Sequence, residues 1–493
     1  MSKSKGKSLY ITTTIPYVNA DPHIGFALEL VQSDAIARYQ RLILGEGNVF
    51  FSTGTDEYGQ KIWEASKQEG KSIQDYVDHY AQKFLDLKKT LDLSTDNFIR
   101  TTSPEHVAAA QEFWRLCDKN GDIYKKKYKG LYCVGCEKFI TERDLVDGKC
   151  PIHPNLTPEI IEEENYFFKI TKYRNDLLKY LREPKSVFPE WRRKEAIDFT
   201  QNAMEDFSVS RSKERLSWGI PVPGDDTQVM YVWFGAFVNY LSTLGWPTQT
   251  PSASGHSPLS RGEESLFEKF WVNGETVQTA GKDMVKFQSV MWQGMLMSAG
   301  LPTTDTIVYH GFITSGEQKM SKSLGNVINP VDLVKEYGVD AVRYFLLRHV
   351  HPFEDSDVTL EKIKEAYNAN LANGLGNLVS RILTMAENYK IAGTGETRTS
   401  YQDEDLDNFE IKKYMDRVWQ RIQDLDKKIQ EEEPYKLFKT DPGGTRKIIT
   451  ELTHELYQIA QSLLLAMPET SKKIQKLIKE NRKPEKPLFL RKD

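Results

Sequence analysis

The sequence predicts an α/β fold, with a doubly wound, Rossmann-like parallel sheet carrying an insert and followed by an α-helical bundle. Three observations carry this. The β-branched run Ser8–Ile15, a helical stretch from about Gly25 to Leu44 and a second apolar run at Asn48–Gly54 make the strand, helix and parallel strand that open such a sheet. Strand-like runs return at Val229, at Val277–Ala280 and at Thr306–Phe312, each followed by a turn or a helix. From about Leu360 to Asp493 no strand pattern remains, and apolar residues recur at helical spacing, as in Leu371, Leu375, Leu378, Val379 and Ile382 and again in Ile448, Leu452, Leu456, Ile459 and Leu463. Ligands of open parallel sheets bind at the C-terminal ends of the strands, so the chemistry is expected there.

Composition narrows the class. At 493 residues the chain has room for two to four domains, and 39% apolar with 28% charged residues is ordinary for a globular protein. No run approaches the ~20 apolar residues of a membrane span. The basic Met1–Lys7 leads into a strand-like run, not a signal core. A cytoplasmic protein without membrane contact is expected. The net charge of −4 argues against wholesale coating of a polyanion but allows a local basic surface. Thr470–Asp493 holds nine Lys/Arg against three Asp/Glu, which is either a solvated tail or such a surface. Four cysteines are too few for a disulfide scaffold.

Taken in order, the first strand is stopped by Pro16, and the loop from Tyr17 runs through His23 and Gly25 into the helix. A helix start offers free N–H groups and partial positive charge to phosphate, with the imidazole as a further donor and Gly25 allowing close approach. The alternative is that His23 merely caps the helix. Lys71 to about Asn120 reads as helical, with Cys117 a core thiol. Cys133-x-x-Cys136 and Cys150-x-x-His153, with thirteen residues between the knuckles, fit a tetrahedral zinc site. Four protein ligands leave no open position, so the Zn²⁺ is expected to be structural, one per chain. Beyond Asn165 the chain is expected to return through helices to Leu216, and Ser252–Ser265 reads as a polar surface loop. After the turn Gly281-Lys282-Asp283, a helix over Met284–Ser298 carries Phe287, Met291 and Trp292 toward one side. The Thr306 strand then leads to Gly316-Glu317-Gln318-Lys319-Met320-Ser321-Lys322-Ser323. Two lysines three apart on a glycine-flanked loop can close over a triphosphate and neutralise charge as pyrophosphate leaves. A solvated basic turn is the plainer alternative.

In order and over nearly the whole chain, these strings resemble the methionyl members of the class I aminoacyl-tRNA synthetases. The resemblance rests on His23-Ile24-Gly25, the zinc knuckles, Tyr231-Val232-Trp233, Gly281-Lys282-Asp283, Lys319–Ser323 and Asn370–Asn377. It implies a methionine–tRNA ligase that adenylates L-methionine with ATP and Mg²⁺, releases pyrophosphate and charges tRNA(Met). By resemblance the catalytic residues are His23, Lys319 and Lys322. ATP would also meet Gly25, Asp283, His310, Gly311 and Ser321. Methionine would be held by Asp56 at its ammonium and by Ile15, Tyr17, Trp233, Ala236, Tyr240, Gln288 and Trp292 around its side chain. Aromatic walls suit a thioether, although core packing explains the same residues. Homocysteine, one methylene-scale step away, is an expected intruder, with some editing implied. The anticodon would be read by Asn377, Arg381 and Tyr435.

Departures from the family pattern cluster at the active site: Phe26 and Gln278 stand where histidines are usual, Gly235 replaces an aspartate, and Gln288 replaces a pocket histidine. Farther on, Tyr435 replaces a tryptophan and Asp426 an asparagine. The expected organisation is 1–118 and 171–325 as the two halves of the catalytic domain, 119–170 as the zinc insert, 326–358 as a linker and 359–493 as the anticodon-binding bundle. With the chain ending soon after the bundle, a monomer is expected. Rival readings are a sister enzyme charging another apolar amino acid, a nucleotidylyltransferase and a catalytically impaired tRNA-binding paralogue.

Overall fold

The computed structural model describes residues 8–133, 138–140, 142, 145–151, 155–247, 264–320, 325–391, 393 and 401–493. They fall into two compact units that interleave along the chain. The first comprises Met1–Pro22, Asn48–Asp86 and Thr95–Tyr309, and the second His23–Gly47, Leu87–Ser94 and His310–Asp493.

The first unit is built on a six-stranded sheet in the order β3 (Asn97–Arg100), β2 (Val49–Thr55), β1 (Leu9–Thr12), Glu275–Gly281, Thr306–His310 and Val187–Phe188. β1 pairs parallel with β2 and with Glu275–Gly281, and β2 pairs parallel with β3. All four residues of β1 and all seven of β2 are buried, as strands covered on both faces must be. β3 corrects the reading of Lys71–Asn120 as helical throughout, since it lies between the helices Ile73–Thr90 and Pro104–Lys119. Four residues carry no strand signal of their own. They are a strand because β2 pairs with them, and Gly54 permits the approach: a Cβ there would lie 2.1 Å from the Ile99 carbonyl oxygen.

Two further expectations change in this unit. Between Asn165 and Leu216 the helices Arg174–Arg182 and Glu190–Asn202 do form, but strands accompany them. Ile123–Cys133 pairs antiparallel with Glu159–Phe168 over ten positions, setting Lys127 opposite Glu164 and Lys129 opposite Glu162. Opposite charges facing across a ladder favour this register over a slipped one. The Met284–Ser298 helix is a composite, with a tight turn at Lys282–Met284, a wide π-type stretch at Phe287–Trp292 and an α-helix at Gln293–Ala299. Most of the Ser252–Ser265 loop lies outside the described residues. Cys117 is a fully buried core thiol.

The second unit holds α1 (Ile24–Leu44), the helices Pro330–Tyr337 and Val339–Arg348, and a helical region containing Asn377–Asn388, Ile411–Glu432, Pro442–Ser462 and Pro468–Lys479. Leu371, Leu375, Leu378, Val379 and Ile382 are all buried, as their spacing predicts. In the second stripe Ile449 takes the buried place expected of Ile448, which is only partly covered. The strand predicted over Thr306–Phe312 ends at His310, and a separate strand, Ile313–Ser315, follows. Gly311 marks the break, where a Cβ would meet the Glu354 carbonyl carbon at 2.1 Å.

A buried ion pair ties this unit together. Arg343 Nη2 lies 2.6 Å from Asp34 Oδ2, both side chains fully buried. The same guanidinium donates to the carbonyls of Leu91, Leu465 and Ala466 at 3.0, 2.9 and 3.0 Å. Burial alone would raise the Asp34 pKa, but Arg343 and Arg38 outweigh it and hold it below the usual carboxylate range. No helix among the described residues is long and apolar enough to cross a membrane.

Candidate active site

In the first unit the chain gathers an aromatic box. Trp233 stacks on Phe287 at a centroid separation of 4.6 Å, Tyr17 meets Trp233 edge-on at 6.2 Å, and Trp292 lies 5.8 Å from Tyr240. Phe237, not singled out by the sequence, stacks against Trp292 at 5.7 Å. The short helices Val232–Phe237 and Asn239–Ser242 supply Trp233, Ala236 and Tyr240. The π-type stretch supplies Gln288 and Trp292 from one turn. Such a bulge moves side chains off the regular α spacing, a common device at functional sites. Ile15 sits half-buried just beyond β1.

Asp56 lies beside Tyr17, at the end of β2. Its N–H donates to the Pro16 carbonyl at 2.9 Å, and its own carbonyl accepts from Val18 N–H at 3.2 Å. The carboxylate is buried, with the Thr101 hydroxyl 3.5 Å away. The neighbouring Glu57 braces it. Glu57 is fully buried and accepts from Arg100 Nε at 2.6 Å and Nη2 at 2.9 Å, while its carbonyl accepts from Trp218 Nε1 at 2.7 Å. Burial, then the charges of Glu57 and Asp56, push the nearby Tyr58 hydroxyl up to about 12. Glu57 and Arg100 went unnoticed in the sequence because nothing local links residues 43 apart. Asp283 is exposed, on the tight turn after the Glu275–Gly281 strand.

Gln278 and Gln288, two of the departures, are bonded to each other: Gln288 Nε2 donates to Gln278 Oε1 at 2.7 Å. A third, Gly235, lies where a Cβ would come to 3.1 Å from Ile220 Cδ1, so a side chain there would need that methyl to shift by a few tenths of an ångström.

In the second unit His23 is the N-cap of α1, its Nδ1 accepting the Gly25 N–H at 3.0 Å. The capping role is therefore real, and it also fixes the tautomer. A neutral imidazole that accepts at Nδ1 carries its proton at Nε2, as a donor. Gly25 is required by this arrangement, because a Cβ would lie 2.8 Å from His23 Cε1 and 2.9 Å from Nδ1. Phe26 packs its ring against the imidazole at 4.5 Å. The helix start is also tied to the segment that follows the lysine loop, with Ile24 N–H donating to the Ile328 carbonyl at 2.9 Å. His310 Nε2 meets Glu29 Oε2 on α1 at 2.8 Å and its Nδ1 meets the Gly311 carbonyl at 2.7 Å. Glu29 is thus a further residue the motifs did not reveal.

Lys319 lies on the short strand Gln318–Lys319, which pairs with Ile313–Ser315 through a tight turn whose Gly316 and Glu317 both have positive φ. Two successive left-handed residues give the primed turn that matches strand twist. Glu317 N–H donates to Asp357 Oδ1 at 2.7 Å, anchoring that turn. Ser321 and Lys322 lie outside the described residues, as do Cys136 and His153. Cys133 and Cys150 share one small buried cluster with Ile140. In the helical region Asn377 is exposed and Arg381 partly so, while Tyr435 is half exposed on Pro434–Leu437. Arg381 pairs with Asp426, another departure.

A family model described as tRNA synthetases class I (M) matches residues 9–156 and 153–383. The chain belongs to that family. Methionine–tRNA ligase of Thermotoga maritima is 37% identical over 97% of this chain and 76% of its own length. The enzyme of Caldanaerobacter subterraneus is 40% identical over 95% of the chain and 73% of its own. Mycobacterium tuberculosis methionyl-tRNA synthetase, solved in complex with methionyl-adenylate, superposes with a TM-score of 0.86 at 34% identity, covering 95% of this chain and 93% of that one. For a class I synthetase of this branch, the aromatic box and the capped helix are the two features to connect with chemistry.

Proposed function

We propose that the chain works as a methionine–tRNA ligase with its parts assigned as follows. Methionine is activated by ATP to methionyl-adenylate and pyrophosphate, then passed to the 3′ end of tRNA(Met). The observation that carries this reading is the like fold, over 95% of the chain, of a synthetase solved with methionyl-adenylate bound. The methionine side chain occupies the box of Ile15, Tyr17, Trp233, Ala236, Tyr240, Gln288 and Trp292, where sulfur–ring contacts contribute ~0.3–1.5 kcal/mol each. Asp56, held in place through Glu57 and Arg100, takes the ammonium as a charge-assisted partner.

ATP, carrying Mg²⁺ on its phosphates, meets His23, Gly25, Asp283, His310, Gly311 and Ser321. His23 offers its Nε2–H where charge builds on the α-phosphate, beside the N-terminus of α1. Lys319 and Lys322 neutralise the departing pyrophosphate. Asn377, Arg381 and Tyr435 read unpaired anticodon bases by hydrogen bonding and stacking. Residues 119–170 form the insert, 359–493 the anticodon-binding part, and the protein acts as a cytoplasmic monomer. A structural Zn²⁺ fits the insert: Cys133 and Cys150 already bring two soft thiol donors into one buried cluster. Cys136 and His153 complete the proposed ligand set, and the ion would cross-link the two knuckles.

ATP–pyrophosphate exchange tests the assignment, run with methionine and separately with leucine, isoleucine, valine and cysteine. Exchange with methionine alone is expected. Exchange with another amino acid would keep the class and change the substrate. Silence with all five, from protein that still binds tRNA, would mark an impaired paralogue.

A further inference from the structure

The basic stretch Thr470–Asp493 is built into the helical region and is not a loose tail. The helix Pro468–Lys479 buries Thr470, Ser471, Ile474 and Ile478 on one side. Ser471 Oγ donates to the Ala460 carbonyl at 2.6 Å, and Thr470 N–H to Asp340 Oδ2 at 2.6 Å. The other side carries Lys472, Lys473, Lys476 and Lys479, all exposed. Lys472, Lys476 and Lys479 follow one another at four and three residues, so they form one line about 10 Å long. Like charges at this spacing repel and weaken a helix. Lys476 and Lys479 recover part of that from the helix dipole in the last turn, whereas Lys472 and Lys473 lie too far from the end. Among the described residues the line has one ion-pair partner, the exposed Glu480, 3.8 Å from Lys476. A pair so placed neutralises little. The chain beyond is held too. Asn368 Nδ2 donates to the Lys492 carbonyl at 2.7 Å, its Oδ1 accepts Lys492 N–H at 2.9 Å, and Phe489 meets Tyr367 edge-on at 6.0 Å. A cationic strip therefore stands on a fixed support, in a chain whose net charge is −4.

We propose that the face carrying Lys472, Lys473, Lys476 and Lys479 is a contact for the phosphate backbone of tRNA, supplying affinity that carries no sequence information. This rests on residues 359–493 being the tRNA-binding part. Three points choose the occupant. A polyanion with regularly spaced charges gains from a cationic line already held in place, and it releases condensed counterions on binding. Lysine suits such a contact, because a compact charge on a flexible stem follows a phosphate without demanding one orientation of it. The strip also shares its support with the proposed anticodon residues. Lys483, one turn past Lys479, pairs with Glu387 at 3.3 Å, and Glu387 lies on Asn377–Asn388, the helix that carries Asn377 and Arg381. The two sets of residues then divide one RNA between them: phosphate contacts set its register, and base contacts read it.

The test is tRNA binding by the full chain between about 50 and 200 mM salt, with Lys472→Gln, Lys473→Gln, Lys476→Gln and Lys479→Gln combined in one variant. At ~0.7–0.9 per phosphate contact, the slope of log affinity against log salt should flatten by about 3. Affinity at the lowest salt should fall about tenfold or more, equally for tRNA(Met) and for a transcript with a changed anticodon. Methionine-dependent pyrophosphate exchange without tRNA should stay within about twofold of the parent. Glutamine and lysine are similar helix formers, so relief of the repulsion should leave the thermal midpoint level or higher. A clear fall in the midpoint would make these lysines structural and overturn the proposal. The combined Lys→Arg variant keeps the charge and should bind like the parent; binding like the glutamine variant overturns the proposal. Unchanged affinity and slope in the glutamine variant overturn it as well. So does an equal effect of glutamine at Lys67, Lys119, Lys194 and Lys213, four exposed lysines of the first unit, which would assign the change to net charge. Parent-level tRNA binding with a loss confined to polyglutamate would give the face to an acidic polypeptide instead, and overturn it too. A parent protein that binds no tRNA would overturn the functional reading on which this rests.

Discussion

Gly25→Ala separates catalysis from stability at the start of α1. The added Cβ would lie 2.8 Å from His23 Cε1, closer than two carbons can approach, and the imidazole is the part able to move. When it moves, Nδ1 no longer accepts the Gly25 N–H. Losing an N-cap costs ~0.5–2 kcal/mol. Replacing glycine by alanine inside a helix returns about 0.8–1 kcal/mol. The two nearly cancel, so the thermal midpoint should move by no more than a few degrees. The displaced ring takes its Nε2–H away from the developing charge, and a lost donor of that kind costs ~2.7–4 kcal/mol in the transition state. Methionine-dependent pyrophosphate exchange should fall by about two to three orders of magnitude, mostly in kcat. The measurement pairs a thermal melt with exchange kinetics. Full exchange activity in a folded Gly25→Ala protein would refute the assignment of His23 as a positioned donor. A large drop in melting temperature would refute the near-cancellation of the cap and helix terms.

Other consequences follow from buried charge. Burial pushes the His106 pKa down to about 4, so the unfolded chain takes up a proton below pH ~6.5 that the folded one refuses. This contribution is whole above pH ~6.5 and fades as the pH falls toward 4, a loss of about 3 kcal/mol at ~1.4 per unit. His106→Gln should flatten urea-unfolding stability over that window, and an unchanged slope would refute the role of His106. Arg343→Met strands the buried Asp34 carboxylate and should lower unfolding free energy by about 3–5 kcal/mol; a change below about 1 would mean that Arg38 and Ser94 suffice to hold it. Asp426→Asn removes the anion paired with Arg381 and should tighten tRNA binding several-fold with a steeper salt dependence. Equal affinity at two salt concentrations would detach the pair from RNA binding.

What the sequence makes legible is whatever is local. His23-Ile24-Gly25 is a string whose cap geometry lies within three residues, and the helical stripe at Leu371–Ile382 reports its own buried face; the Cys-x-x-Cys knuckle and the lysine loop are equally local strings, but Cys136, His153 and Lys322 lie outside the described residues. β3 was missed because four residues become a strand only through β2, with Gly54 clearing the way. The wide turn at Phe287–Trp292 was missed because a single extra residue per turn leaves the apolar spacing nearly unchanged. The pairings that define the site are the least legible of all. Glu29 and His310 meet across 281 positions, and Gln278 and Gln288 across ten that happen to join a strand to a π-type turn. Read singly, Gln278 is a lost imidazole and Gln288 a mild change that keeps a polar contact. Their bond shows why such substitutions must be judged in pairs. The Gln288 amide supplies the donor that the Gln278 carbonyl accepts, a match that an imidazole in the wrong tautomer would not make. One change therefore sets the terms on which the other is tolerated, and a motif scored position by position cannot register that.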